Sequence, residues 1–276
     1  MNEIDERVNR HYGWSGLMEA LEDEIRRKGI DPTQVTVDEL APVDNYHRHR
    51  LAGTLALART AGITASDSVL DVGGGIGGPA RQLANRLGCQ VTVLDLTAEY
   101  CAIGKTLTAW TKLEDKVSFV CGNALSMPFP DGSFDVAWTQ HASMNIADKA
   151  GLYREMARVV RVGGTLAFFD VLAGPNQPLH FPVPWASDPS FSFLLSPEET
   201  RTLIAHSGFR ELVWMTGAEL DAELDRPDPR AGTPSAHPSL NPGLLNGPEG
   251  PQMGGNAQRN IEEGRMLAAL GVYERI

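Results

Sequence analysis

The stretch VLDVGGGIGGPAR at 69–81 sets a carboxylate, Asp71, two residues ahead of a cluster in which Gly73, Gly74, Gly75, Gly77 and Gly78 fill five of six positions. Glycine takes backbone angles that side chains resist, and without a Cβ it lets a ligand lie against the main chain. The apolar residues before Asp71 predict a strand, the glycines a tight turn and the residues after them a helix. The spacing Gly73-x-Gly75-x-x-Gly78 also fits a dinucleotide fingerprint, in which a pyrophosphate rests on the helix N-terminus. A carboxylate beside that turn repels a pyrophosphate and suits an ammonium group. Further on, VTVLDL at 91–96 ends in Asp95 and Leu96, and Asp95 follows Gly78 by 17 residues. That is near the roughly 20-residue spacing of an acid that hydrogen-bonds ribose hydroxyls. Asp95 therefore points to a nucleoside, and a nicotinamide-dependent oxidoreductase would share it.

With Asp71 and the glycines, the pattern Asp-x-Gly-x-Gly-x-Gly resembles motif I of the class I S-adenosylmethionine-dependent methyltransferases. Its continuation Gly77-Gly78-Pro79-Ala80-Arg81 resembles the branch of sterol, tocopherol and sarcosine/dimethylglycine methyltransferases. PFPDGSFDVAW at 128–138 is similar to the family's approach to its fourth strand, and RVGG at 161–164 resembles its Lys-Pro-Gly-Gly turn, with Val162 in place of proline. Where the family has Gly-Asp-Ala, this chain has Gly122-Asn123-Ala124; an Asn carbonyl can still accept from the adenine amine. The resemblance implies S-adenosylmethionine as cofactor and S-adenosylhomocysteine as product. It implies that Asp71 and the loop Gly73, Gly74 and Gly75 hold the methionine end, Asp95 and Leu96 the ribose, Asn123 and Ala124 the adenine, and Gln140 part of the methionyl chain.

Residues that could move a proton lie elsewhere. DELAPVDNYHRHR at 38–50 gathers Asp44, Tyr46, His47 and His49, and TQHASMNI at 139–146 holds His141. Histidine takes a proton near neutral pH. The related phosphoethanolamine methyltransferases carry a Glu-Asn-Tyr segment whose tyrosine closes over the site and pairs with a histidine after the fourth strand. Asp44-Asn45-Tyr46 matches it at the tyrosine, but Asn145 stands at the histidine's place. The candidate bases are His141, Tyr46 and His47.

These residues need a scaffold of strands whose ends meet. The resemblance, which covers residues 67–172, implies an α/β, doubly wound, Rossmann-like sheet of seven strands, mainly parallel with the last antiparallel. Leu17, Leu21 and Ile25 recur at helical spacing, and a second apolar helix runs through LAGTLALARTAG, so residues 1–60 are expected to form an N-terminal helical cap. Residues 61–276 form the main domain, with lid insertions near 173–195 and 217–256. The first insertion is rich in proline and carries Phe181, Trp185, Phe191 and Phe193, which favours a pocket wall and a partly apolar acceptor. Ser196 with Glu199 reads as a capping box. Residues 226–256 read as a mobile loop, and the segment from Asn256 to Ile276 as a closing helix.

Composition narrows the rest. With 24 basic and 35 acidic residues the net charge is −11 and no basic cluster occurs, which disfavours nucleic acid and anionic membranes as partners. No apolar run of membrane-spanning length and no export signal is visible, so a cytoplasmic location is expected. Cys89, Cys101 and Cys121 are expected to be buried thiols, and no metal site is expected. The resulting expectation is in-line methyl transfer to a small molecule, with the accepting O, N or C atom open. Non-methylating chemistry in the same pocket, such as a cyclisation, and an NAD(P)-dependent oxidoreductase are the alternatives.

Overall fold

Runs rich in β-branched and aromatic residues form the strands, and β1, β3, β5 and β6 each end immediately before a glycine. The structure is a computed structural model and describes residues 3–13, 16–45, 49–229, 237–241 and 243–276. In chain order it contains α1 (Glu3–Tyr12), α2 (Leu17–Arg27), α3 (Val37–Asp44), α4 (Arg50–Ala61), β1 (Ser68–Val72), α5 (Gly78–Leu87), β2 (Gln90–Asp95), α6 (Ala98–Trp110), β3 (Val117–Cys121) and β4 (Phe134–Gln140). It continues with α7 (Lys149–Val159), β5 (Val160–Ala173), α8 (Pro197–His206), β6 (Phe209–Thr216), α9 (Gly217–Leu224), α10 (Gly250–Glu262) and β7 (Met266–Arg275).

The strands form one seven-stranded sheet in the order β3-β2-β1-β4-β5-β7-β6. β7 runs antiparallel to both β5 and β6, and the pairs from β3 across to β5 are parallel. After β3 the chain crosses back to the other side of β1, which opens a crevice at the carboxyl ends of β1 and β4. The period of two sends Val69 to one face of β1 and Leu70 to the other. Val69 joins a core with α4, α5 and α9, whereas Leu70 joins one with α7 and α8. The helix at 149–159 packs through Leu152, Met156 and Val159 as its spacing requires. The capping box at Ser196 is formed, with its hydroxyl accepting from Glu199 N and the Glu199 carboxylate returning to Ser196 N.

Four expectations need correction. The segment 256–276 is not one helix: α10 stops at a turn where Gly264 has φ +66°, and the remainder becomes β7. β7 lies between two strands with both faces covered, and such an apolar run has no period that separates helix from strand. Residues 226–256 are not all loop, since α10 begins at Gly250 with Pro251 in its first turn, a position that needs no N–H. α4, grouped with the cap by sequence, belongs to the sheet layer, where Ala56, Leu57 and Ala58 meet Trp138 and Phe169. Finally, Cys121 is exposed, because it sits at the open end of β3; Cys89 and Cys101 are buried.

The cap is tied to the sheet by a buried ion pair. Arg81 and Asp44 are both fully buried, and the guanidinium also donates to Ile76 O at 2.7 Å, Gly104 O at 3.2 Å and Thr108 Oγ1 at 3.0 Å. One side chain thus joins the end of α3, the glycine loop and α6. No helix among the described residues is long and apolar enough to cross a membrane.

Candidate active site

A cavity of about 640 Å³ opens at the carboxyl ends of β1, β2 and β4. Its floor is the glycine loop. Gly73 has φ +73°, and a Cβ there would stand 2.4 Å from that of Ala142. A Cβ on Gly74 would lie 2.5 Å from Asp71 Oδ2, and one on Gly78 would lie 1.9 Å from the Asp44 carbonyl oxygen. The glycines are therefore demanded by three close approaches: the loop after β4, the Asp71 carboxylate and the cap.

Asp71 is 1% exposed, and its Oδ2 has no hydrogen-bond partner among the described residues. Burial, with the charge of Asp95 adding to it, pushes the Asp71 carboxyl up to about 8. Asp95 is held by main-chain donors, Gly75 N on Oδ2 at 2.9 Å and Thr97 N on Oδ1 at 2.8 Å. Its recessed position raises its pKa against the pull of those donors. Both acids line the cavity, with Gly73, Gly74, Gly75, Leu96, Asn123, Ala124 and Gln140. All nine residues expected to hold the cofactor therefore meet around one space. Asn123 Oδ1 accepts from Leu125 N at 2.8 Å, which commits to the loop the oxygen expected to face adenine. Gln140 Oε1 accepts from Thr54 Oγ1 at 3.2 Å.

The loop after β4 forms the next wall. His141 has φ +53°, an uncommon conformation for a residue with a side chain, held by its N–H on Phe169 O at 2.8 Å. Its ring packs T-shaped with Phe169, centroids 5.0 Å apart, and His141 borders the cavity. His49 stacks on the same phenyl ring at 5.9 Å and also borders the cavity. From below, Asp170 Oδ2 accepts from Ser143 N at 3.0 Å, and Lys149 donates to Ser143 O and Ile146 O. Burial lowers the Lys149 ammonium to about 8 against the opposing pull of Asp170. Tyr46 and His47 lie outside the described residues.

The roof comes from distant segments. Tyr12 Oη on α1 donates to Asn145 Oδ1 at 2.9 Å, and Asn145 Nδ2 donates to Trp185 O at 2.8 Å and Phe191 O at 3.0 Å. The position where relatives were expected to pair a histidine with a tyrosine thus holds an asparagine that engages Tyr12. His11 contacts Pro184 O at 3.0 Å, and Arg7 pairs with Asp188 at 3.1 Å. Asn260 on α10 is fully buried and exchanges two hydrogen bonds with the main chain of His180, at 2.8 and 3.0 Å. The chamber under this roof is walled by Ile4, Val8, Met144, Trp185, Ile261 and Met266. Sequence gives no sign of Tyr12 or the α10 residues at the site and marks His49 without placing it among the candidate bases; the aromatic Trp185 is expected in a pocket wall.

A methyltransferase-domain profile matches residues 70–168. Over 120 residues, 44% of this chain, the sequence is 39% identical to the sterol 24-C-methyltransferase of Eremothecium gossypii and spans 32% of that protein. Over 99 residues, 36% of this chain, it is 43% identical to a probable chloroplastic tocopherol O-methyltransferase of Oryza sativa subsp. japonica and spans 27% of it. The chain thus spans about a third or less of these two relatives. The geranyl diphosphate C-methyltransferase of Streptomyces coelicolor A3(2), at 18% identity, aligns over 100% of this chain and 98% of its own with a TM-score of 0.66. The [4+2]-cyclase SpnF, at 21% identity, aligns over 80% of each chain with a TM-score of 0.59. Residues 70–168 therefore carry a methyltransferase domain, and the chain has the fold of these solved structures.

Proposed function

We propose that the chain transfers a methyl group from S-adenosylmethionine to a small, largely apolar acceptor. The observation that carries this reading is the pairing of two acids at one glycine loop: Asp71, buried with an oxygen unpartnered among the described residues, and Asp95, held by Gly75 N and Thr97 N. An unsatisfied buried carboxyl is costly and calls for a cationic or donating partner. The ammonium of a methionyl group fits Asp71, and ribose hydroxyls fit Asp95. A pyrophosphate fits neither, which counts against the nicotinamide reading.

S-adenosylmethionine supplies a methyl carbon already activated by a sulfonium leaving group. The chain's own contribution is alignment and exclusion of water, effects worth roughly 7–11 kcal/mol in favourable cases. The glycine loop and Asp71 hold the methionyl end, and Gln140 supports it. The roof contacts of Tyr12, Asn145 and Asn260 close the apolar chamber in which the acceptor lies. A hydroxyl or protonated amine acceptor needs a base; His141 is the first candidate, with Tyr46 and His47 behind it and His49 added by its place on Phe169. An enolised carbon or a thiolate needs none. The acid-lined cavity and net charge of −11 favour neither nucleic acid nor an anionic surface as partner. The free thiols favour a reducing compartment, the cytoplasm.

The test is incubation with methyl-labelled S-adenosylmethionine and a panel of apolar phenols, prenyl compounds and polycyclic alcohols. Label in an acceptor supports the reading. Conversion of an acceptor without label transfer would move the chain to non-methylating chemistry.

A further inference from the structure

The subsite that meets the base has the reverse hydrogen-bonding sense from an aspartate at the same position. At the end of β3, Gly122, Asn123 and Ala124 all border the cavity. Asn123 Oδ1 accepts from Leu125 N at 2.8 Å, and its main-chain carbonyl accepts from Ser126 N at 3.0 Å, so the loop is closed on the amide oxygen. A carboxamide has one oxygen and one NH2 group. With the oxygen held by the loop, Nδ2 is the head left for the cavity, and it makes no hydrogen bond to any described residue. An aspartate making the same turn would place a second acceptor oxygen there. Asparagine places a donor.

Building on the cofactor reading above, we infer that Asn123 presents a donor to the purine, so that the chain binds the base through a ring-nitrogen acceptor and gains little from the exocyclic 6-amino group. The 6-amino group of adenine donates toward the base's pairing edge, and two donors facing each other repel. The base must then set N1 or N7, both acceptors, against Nδ2. A nucleoside that lacks the amino group keeps those nitrogens and loses no partner.

The experiment is an equilibrium titration of wild type and Asn123→Asp with S-adenosylhomocysteine and with its analogue in which hydrogen replaces the 6-amino group. Wild type is expected to bind the two within about fivefold, and Asn123→Asp to gain about tenfold for S-adenosylhomocysteine alone, the scale of one charge-assisted hydrogen bond. A wild-type preference for S-adenosylhomocysteine above about fivefold would overturn the inference. So would a folded Asn123→Asp variant with unchanged preference. The wild-type pair decides the matter even if the variant does not fold. Failure of wild type to bind either compound would instead overturn the cofactor reading, and this inference with it.

Discussion

The half of the cavity proposed for the cofactor and the half proposed for the acceptor are built by different means. The cofactor half comes from one stretch, from Asp71 to Gln140, whose acids and glycines sit at consecutive strand ends. Its main contacts are short and use the main chain, as in Gly75 N and Thr97 N on Asp95. The acceptor half is assembled from segments far apart in sequence. Tyr12 reaches Asn145 across 133 positions, His11 reaches Pro184 across 173, and Arg7 reaches Asp188 across 181. A site made of strand ends is fixed by the sheet, whereas a roof made of single polar contacts can change while the sheet stays the same.

The hardest blow to the comparison is Arg81→Met, because Arg81 serves both halves, holding Asp44 in the cap and Ile76 O in the glycine loop. Removing one partner of a buried ion pair leaves the other charge uncompensated, at about 3–5 kcal/mol. Urea unfolding should show that loss, and the double variant with Asp44→Asn should recover part of it. A loss under about 1 kcal/mol would mean the pair does not join the halves.

Next in size is Asp95→Asn, which keeps the shape of the ribose acid but removes its charge. Hydrogen bonds to charged groups are worth about 1.5–3 kcal/mol each, so affinity for S-adenosylhomocysteine should fall by at least tenfold. An unchanged affinity measured by calorimetry would remove Asp95 from the site.

The pH dependence sharpens the role of Asp71. Its carboxyl, raised to about 8, is protonated below that pH in the ligand-free protein, so pairing with an ammonium must release a proton. Each pH unit below about 8 then costs about 1.4 kcal/mol, a factor of ten in affinity. Above that point the ligand's own amine, with a pKa of about 8, loses its charge. Affinity should peak near the pKa of Asp71 and fall on both sides, and Asp71→Asn should abolish the acidic limb. The same raised pKa means that this group's contribution to folding stability is full below about 4 and is lost as pH rises through about 8. A wild-type acidic limb that persists in Asp71→Asn would assign it to another group.

The smallest effect is expected in the roof. Tyr12→Phe removes one partly exposed hydrogen bond to Asn145, worth about 1 kcal/mol. It should raise the acceptor KM a few-fold while leaving S-adenosylhomocysteine affinity unchanged. An equal loss in both would show that the halves are not separable.

The same division explains what the sequence revealed. Asp71, Asp95 and the glycines were legible because each does its work within a few residues, and the strand-turn-helix pattern places them. Gly78 carried a further meaning that local reading misses, since its missing side chain makes room for Asp44, 34 positions earlier. Asn123 was legible as a candidate site residue, and the structure places it on the cavity, but the direction of its amide was not, because it depends on Leu125 N. Tyr12 and Asn260 gave no local signal, their partners being fixed only by tertiary packing. β7 reads as helix in the sequence because a strand buried on both faces has no alternation to reveal it.

The measurement closest to the central claim is a calorimetric titration of wild type and Asp95→Ala with S-adenosylhomocysteine and with NADH. The account predicts that wild type binds S-adenosylhomocysteine and not NADH, and that the variant loses that binding. Binding of NADH without S-adenosylhomocysteine would contradict it and make the glycine loop a pyrophosphate site.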